Sequence, residues 1–257
     1  MAWCIESDPL IEPVEILGFP MVRLRVEVDQ PDAFIAVRLC DVAPDGSSVL
    51  VTRGILNLTH RHGHDRLTPL PMGEAFDVEF RLDAAGHRFR PGHRVRVAMS
   101  TTYWPWIWPS PTPVTMIVLA GEVTLPMVAA DSTPADLGEP DAGTAADIEF
   151  LDAGGDPNRP DFLLGRLMIR DLGLISHDEG SNTYTLDEGD PLSARVRIIR
   201  RSAVARDGWS TIVEADAEMT CSATSFRVES HLAAWHDDVE VFRRIDVTVV
   251  PRATGRW

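Results

Sequence analysis

The alternation of apolar and charged residues in Pro20–Val28, PMVRLRVEV, is the feature that most restricts the fold. A period of two is that of a β-strand with one face in the core and the other in water, and it does not fit a helix. Similar short runs fill the first half of the chain. Turn signals such as Ala43-Pro44-Asp45-Gly46 separate them, because Pro presets φ and Gly accepts a positive φ. We therefore predict an all-β first half, built as a sandwich or jelly roll.

The strands of both halves can be bounded from these patterns. We expect about seven strands in the first half, six of which have clear limits: Pro20–Val28, Phe34–Val42, Ser48–Thr59, Ala75–Leu82, His93–Thr101 and Val114–Ala120. The second half is predicted to hold four long strands: Leu192–Arg201, Trp209–Thr220, Ser225–Trp235 and Val239–Pro251. Tight turns at residues 206–208 and 236–238 would join them into an antiparallel meander with one buried and one wet face.

The chain is predicted to divide into three parts. Residues 1–126 form a jelly-roll β-sandwich of the galactose-binding-domain-like kind. Residues 127–147 are acidic, rich in small residues and without a periodic face, which indicates a linker. Residues 148–257 form a second antiparallel sheet region.

Charge and cysteine content exclude several kinds of partner. The net charge is −15, and all 24 basic residues are Arg. An acidic surface argues against nucleic acid and anionic membranes as partners.

The first residues lack the basic and apolar regions of a signal peptide, and no apolar run approaches the ~20 residues that a membrane span requires. The three Cys are far apart, which favours reduced thiols, so we expect a cytoplasmic location. An oligomer stays open.

The sequence offers no catalytic machinery. It contains no G-x-S-x-G nucleophile elbow and no phosphate-binding glycine loop, so we assign no catalytic residue and no cofactor. Three imidazoles, His60, His62 and His64, would point to one side of an extended segment. We nevertheless predict no metal site here, because only Asp65 is an obvious fourth ligand and the loop after the strand should be mobile. The chain alone is expected to be inactive.

An aromatic and proline-rich segment, Thr101–Met116 (TTYWPWIWPSPTPVTM), stands out from the rest. Its bulky side chains are Tyr103, Trp104, Trp106 and Trp108. If the segment were extended, the three Trp would lie on one side. Three interpretations remain open: an end-cap of the sandwich, part of an interface or pocket rim, or a carbohydrate-binding platform.

Several motifs of the first half, taken in order, resemble the C-terminal, non-catalytic β-sandwich of the CocE/NonD hydrolases. This group includes cocaine esterase and X-prolyl dipeptidyl aminopeptidases. The matching stretches are Leu17-Gly18-Phe19-Pro20, Asp29-Gln30-Pro31-Asp32-Ala33, Val37–Gly46 (VRLCDVAPDG), Val51-Thr52-Arg53-Gly54 and Arg90–Arg96 (RPGHRVR). The final Val249-Val250-Pro251-Arg252 is similar to the end of an extension found in longer members.

The resemblance implies a role but no catalytic residue. In the full enzymes an α/β-hydrolase domain with Ser, Asp and His precedes this region, so the catalytic domain is expected upstream of Met1 or on a separate chain. The chain would brace that domain in a serine esterase or dipeptidyl-peptidase and shape its acyl pocket. The aromatics Tyr103, Trp104, Trp106 and Trp108 are then candidates for the domain interface or pocket rim. The alternative is a free-standing jelly-roll module that binds carbohydrate.

Overall fold

The computed structural model describes residues 2–128, 136, 138, 139, 143, 147–152 and 161–252. The chain divides into two compact units, with the division between Asp136 and Leu137. The described residues contain strands and three short 3-10 turns but no α-helix, so the predicted all-β class is confirmed. None of the helical turns in these residues is long and apolar enough to cross a bilayer.

The first unit contains nine described strands. They are β1 (Trp3–Glu6), β2 (Val14–Gly18), β3 (Met21–Val28), β4 (Phe34–Val42), β5 (Ser48–Asn57), β6 (Phe76–Arg81), β7 (Ala85–Phe89), β8 (Arg94–Ser100) and β9 (Met116–Thr124). All six bounded predictions are found. Strands β1, β2 and β7 were not predicted, because each has only four or five residues and shows too little alternation to stand out.

These strands pair only antiparallel. One sheet has the order β1-β8-β4-β5, a second has β6-β3-β9, and β2 pairs with β7. The alternation read from the sequence places Val22, Leu24 and Val26 of β3 in the core, together with Ile35 and Leu39 of β4. Since these side chains belong to different sheets and share one core, the sheets face each other as a sandwich. The finer jelly-roll description stays a prediction.

The second unit is one seven-stranded antiparallel sheet. Its strands are β10 (Ile148–Asp152), β11 (Asp161–Ile169), β12 (Leu174–Thr185), β13 (Arg195–Arg206), β14 (Trp209–Cys221), β15 (Ser225–His236) and β16 (Val239–Pro251), paired in sequence order. The predicted meander of the last four strands is confirmed. The turn before β16 has positive φ at both Asp237 and Asp238, as a two-residue hairpin turn requires.

The sheet contains three strands beyond the four that were bounded from the sequence. Strands β10, β11 and β12 were missed, and β12 reads LISHDEGSNTYT, whose polar residues and central Gly180 conceal the strand pattern. Most of the predicted linker, residues 127–147, lies outside the described residues, as do residues 253–257. The three-part division therefore stays a prediction.

One expectation about this sheet is wrong. A buried face and a wet face were predicted, but of the hydrophobic side chains described in this unit only Ala194 and Ala233 are buried. One face carries cross-strand ion pairs such as Arg197–Asp216 and Arg201–Glu214. The other face is richer in apolar side chains, yet no element described within this unit covers it, so those side chains stay partly exposed.

Candidate functional site

The aromatic segment connects β8 to β9 and folds into a tight turn. The carbonyl oxygen of Tyr103 accepts hydrogen bonds from the backbone N–H of Trp106 at 2.8 Å and of Ile107 at 3.1 Å. The Trp104–Pro105 peptide bond is cis. Because the segment turns rather than extends, the condition under which the three Trp would lie on one side is not met. The four prolines lack the N–H groups that an extended strand would need for pairing.

The three Trp therefore have different surroundings. Trp104 and Trp108 pack edge to face, with ring centroids 5.2 Å apart and planes at 88°. Trp106 lies away from this pair and is 62% exposed. Because the Trp104 and Trp108 rings pack against each other at nearly a right angle, they do not form a flat aromatic platform for a ligand. Of the three, only Trp106 presents a largely open ring.

Two arginines lie under these rings. Arg38 of β4 and Arg53 of β5 are direct partners across the ladder, so their side chains leave the same face of the sheet. The Tyr103 ring centroid lies 5.1 Å from Cζ of Arg38 and 5.8 Å from Cζ of Arg53. The Trp106 centroid lies 3.5 Å from Cζ of Arg53. Tyr103 thus covers both guanidinium groups, and Trp106 stacks on one.

The face that carries the two arginines is the outer face of the sheet. Val37 and Leu39, which flank Arg38, belong to the core. Ala36 and Ala98 lie on the same outer face as Arg38, yet both are buried. Since the Tyr103 ring lies over Arg38, we infer that the aromatic segment folds back over this face and shields it from water.

The charge of the two arginines is not neutralised within the described residues. Neither Arg38 nor Arg53 forms an ion pair there, and Nε of Arg38 is buried without a hydrogen-bond partner. By contrast, Arg23 pairs with both Glu79 and Glu122. Two like charges on directly opposed residues destabilise a sheet, and a half-buried charge without a counter-ion adds to that cost. Cation–π contacts offset part of it. We name Arg38, Arg53, Tyr103 and Trp106 the Arg–aromatic patch.

The return end of the segment is fixed by the Asp29–Ala33 motif. The backbone N–H of Thr115 donates to Oδ1 of Asp29 at 2.8 Å, and Thr112 Oγ1 donates to Oε1 of Gln30 at 3.2 Å. A motif that resembled the family in sequence thus holds the aromatic segment. The two arginines of the patch also lie in such motifs, Val37–Gly46 and Val51–Gly54.

An open groove of about 590 Å³ begins at the stems of the aromatic segment. Its walls include Trp3 of the edge strand β1 and Ile117 of the edge strand β9, both about half exposed. Thr101 and Val114, which lie near the two ends of the segment, also line it, and Thr101 Oγ1 donates a 3.3 Å hydrogen bond to the carbonyl oxygen of Val114. The first unit therefore exposes apolar surface where two sheet edges meet.

A buried carboxylate connects two further motifs that resemble the family. Asp41, from the VRLCDVAPDG stretch, is 8% exposed. Its Oδ1 lies 2.8 Å from Nδ1 of His93, in the RPGHRVR stretch, and its Oδ2 lies 2.8 Å from Nε2 of His87. Both imidazoles donate to the carboxylate. Asp41 thereby links β4 to β7 and to the turn before β8, which is a structural role.

The histidine cluster does not form the one-sided array that the sequence suggested. A 3-10 turn at Leu58–His60 and the positive φ of Gly63 curl the segment. Nδ1 of His60 lies 2.9 Å from Nδ1 of His64, while His62 is exposed. No group of three or more metal-ligating side chains occurs in the described part of the chain. The absence of structural zinc stays a prediction.

The loop that carries these histidines is better fixed than expected. The guanidinium of Arg61 donates to the carbonyl oxygens of Leu58, Thr68 and Pro69. Burial lowers the pKa of Arg61 from its ordinary value. The Arg61 side chain thus holds both ends of the loop together. No sequence pattern predicts these hydrogen bonds.

Comparison with known proteins identifies the first unit. Residues 3–136 match the family described as the X-Pro dipeptidyl-peptidase C-terminal non-catalytic domain, and the chain belongs to this family. The chain is 31% identical over 102 residues to cocaine esterase from Rhodococcus sp. (strain MB1 Bresler). The matched stretch covers 40% of this chain and 18% of the esterase. The predicted resemblance to the non-catalytic C-terminal region of CocE/NonD hydrolases is confirmed.

Two solved structures each match about half of the chain. An α-amino acid ester hydrolase labelled with selenomethionine is 25% identical with a TM-score of 0.47, covering 49% of this chain and 25% of that protein. An aminopeptidase from a marine sediment archaeon, Thaumarchaeota archaeon, is 21% identical with a TM-score of 0.47, covering 50% and 26%. The chain thus spans about a fifth to a quarter of the length of these relatives.

Proposed function

We propose that this chain is the non-catalytic C-terminal part of a CocE/NonD-type serine hydrolase of the esterase or X-prolyl dipeptidyl-peptidase class. It braces an α/β-hydrolase catalytic domain, present upstream or on a separate chain, and shapes the acyl pocket of that domain. The observation that carries the proposal is the Arg–aromatic patch, which lies within the family-matched residues and carries two arginines without counter-ions in the described structure.

The division of labour follows from what the sequence contains. Acyl transfer by a serine enzyme needs a nucleophile, an oriented base and oxyanion donors, and the sequence has no G-x-S-x-G elbow to supply the first. The chain would instead contribute fixed surface. A wall that excludes water from an acyl pocket strengthens the electrostatic interactions inside it. We predict that the isolated chain is not labelled by a fluorophosphonate probe.

The composition of the Arg–aromatic patch suits a protein interface. Trp, Tyr and Arg dominate the binding energy of interfaces, because each combines a large contact area with a polar or charged group. Trp106 is open to a partner, and its stacking on Arg53 holds that guanidinium in place. A carboxylate that accepts two N–H bonds from one guanidinium would neutralise the charge of that arginine. The partner that fits is therefore an Asp or Glu side chain on the catalytic domain.

The groove between β1 and β9 supplies an apolar contact next to this charged one. Trp3 and Ile117 are exposed at edges that would otherwise remain open to water. A catalytic domain that covers both the patch and the groove would bury apolar area beside a charged contact. Specific interfaces combine buried apolar surface with a few polar contacts in this way.

The carbohydrate-binding alternative is not favoured. Trp104 and Trp108 pack against each other, and Trp106 stacks on Arg53, so no row of flat rings is left for a sugar. The family match is also to a non-catalytic domain of peptidases.

The proposal is tested with the α/β-hydrolase domain carrying G-x-S-x-G that is encoded in frame upstream or in a neighbouring gene. Its kcat/KM towards p-nitrophenyl acetate is measured with and without the 257-residue chain. The chain should raise kcat/KM, and Arg38→Gln/Arg53→Gln or Trp106→Ala should abolish that increase. Arg23→Gln is the matched control, because Arg23 lies in the same unit but already has two carboxylate partners. Equal loss in the control, or no effect of the chain, would refute the proposal.

A further inference from the structure

Strand β16 exposes an unusual amount of apolar surface for a final strand. It runs over 13 residues, Val239–Pro251, and twelve of them are exposed. Ile245 is 58% exposed, and Val247 and Val249 on the same face are similarly open. Exposure of apolar side chains to water is unfavourable by about 25 cal/mol for each Å² left uncovered.

The outer edge of β16 is also free for backbone pairing. Within the described residues β16 has one neighbour, β15, on one side only. Edge strands are normally short, bulged or guarded by charge, because a long apolar edge invites another strand. The opposite edge, β10, follows this rule with five residues and an irregular register at residues 150–152. Strand β16 also carries charged residues and an irregular register near Val241, but it is 13 residues long and keeps a regular register from Phe242 to Pro251.

The sequence of β16 is complementary to itself in one antiparallel register. If Ile245 faces Ile245 of a second copy, residues equally far from it on either side become partners. Arg244 then faces the second copy's Asp246, and Asp246 faces the second copy's Arg244. The same register opposes Arg243 with Val247, and no like charges face each other.

Other registers lose this match. Centring the pair on Arg244 would oppose two arginines, and centring it on Asp246 would oppose two aspartates. Centring it on Val247 shortens the paired segment and leaves Arg244 opposite Val250. Like charges directly opposed across strands are destabilising, whereas opposite charges contribute favourably. Centring it on Phe242 would oppose Arg244 with Glu240 but would pair only residues 239–245, so charge and paired length together select the register centred on Ile245.

We propose that two copies of this chain associate through antiparallel pairing of their β16 edges, centred on Ile245. The two seven-stranded sheets then continue as one sheet across a two-fold axis. The contact is isologous and closes after two copies, because the same edge is used by both. Main-chain hydrogen bonds supply affinity, and the Arg244–Asp246 pairs fix the register. The proposal does not depend on the proposed hydrolase role.

The register makes a direct prediction about disulfide formation. Cα atoms of directly opposed antiparallel residues lie about 4.5–5.5 Å apart, which is the separation that a disulfide spans. In a Cys4→Ser background, which removes the exposed native thiol, Ile245→Cys should form a covalent dimer under mild oxidation. Val249→Cys is the matched control, because it lies on the same strand and face with similar exposure, but faces Val241 in this register.

Two measurements decide the proposal. Non-reducing gel electrophoresis should show dimer formation at least about tenfold faster for Ile245→Cys than for Val249→Cys, since the paired thiols are held at high effective concentration. Sedimentation velocity of the unaltered chain at tens of micromolar should show a dimer. Ile245→Asp should convert it to a monomer with an unchanged circular dichroism spectrum. Equal cross-linking rates, a monomeric unaltered chain, or a dimer that survives Ile245→Asp would each overturn the proposal.

Discussion

Replacement of Asp41 by Asn tests whether the family motifs are held together by one buried carboxylate. Both carboxylate oxygens accept an imidazole N–H at 2.8 Å, one from His87 and one from His93. An amide keeps one acceptor oxygen and turns an N–H towards the other imidazole. One hydrogen bond to a charged group is then lost, and such bonds contribute about 1.5–3 kcal/mol.

The expected loss of stability is about 2 kcal/mol, because removing a buried charge offsets part of the larger figure. For a unit of this size, that loss lowers the melting temperature by about 8 °C. Thermal unfolding of the full chain, followed by far-UV circular dichroism, measures it for the transition of the first unit. Asp77→Asn is the control, since it makes the same chemical change on an exposed residue that pairs with Arg25. Exposed pairs contribute about 0–1 kcal/mol. If Asp41→Asn unfolds within about 0.5 kcal/mol of the control, the carboxylate does not hold the motifs together.

Three further predictions follow from single residues. A Cβ at Gly54 would lie 2.9 Å from a backbone carbonyl oxygen, so Gly54→Ala should destabilise the chain by about 1–3 kcal/mol, as measured by urea unfolding. Gly86→Ala is the control and should be close to neutral, because the nearest atom to a Cβ there is 3.4 Å away. Burial raises the pKa of the Cys40 thiol, so iodoacetamide should alkylate exposed Cys4 well before Cys40 at pH 8, as read by mass spectrometry; equal rates would contradict this. The hydrogen bond from Arg197 lowers the pKa of Asp216 in the folded chain. The ionised carboxylate therefore stabilises the fold above its unfolded pKa of about 4, and this stabilisation is lost as the pH falls through its folded pKa. Asp216→Asn should therefore be less stable than the unaltered chain at pH 7, by up to about 1 kcal/mol, and the difference in urea midpoint should shrink at pH 3.

The strands that the sequence revealed are those with dense apolar content or regular alternation. Strand β3 was bounded almost to the residue because its core positions follow a period of two, and β4 because its sequence is a mostly apolar run. Strand β12 was missed because its side chains are mostly polar and half exposed, so burial imposes no pattern on them. The same holds for β1, whose four residues are all exposed.

The Arg–aromatic patch could not have been derived from the sequence. The register of β4 and β5 shifts by one residue between Leu39 and Cys40. A regular hairpin from the Pro44–Gly46 turn would have placed Arg38 opposite Thr52 and left Arg53 on the other face. A one-residue shift reverses the face of every later side chain, and no sequence pattern marks this bulge. The pairing of the two arginines is therefore visible only in the structure.

The aromatic residues were found by sequence, but their arrangement was not. The density of Trp and Pro in the segment pointed to a special surface. The assumption of an extended chain then placed Trp104, Trp106 and Trp108 together, whereas the turn closed by Tyr103 separates Trp106 from the other two. Local hydrogen bonding of the backbone decided which ring remained open.

The most direct test of the account is the affinity of the chain for the α/β-hydrolase domain from the same source, measured by isothermal titration calorimetry. The account predicts specific binding that Trp106→Ala weakens at least about 30-fold, which corresponds to the 2 kcal/mol or more expected of an interface hot spot. Arg23→Gln should leave the affinity unchanged. No detectable binding, or binding that Trp106→Ala leaves intact, would contradict the claim that the Arg–aromatic patch is the surface by which this chain braces a catalytic domain.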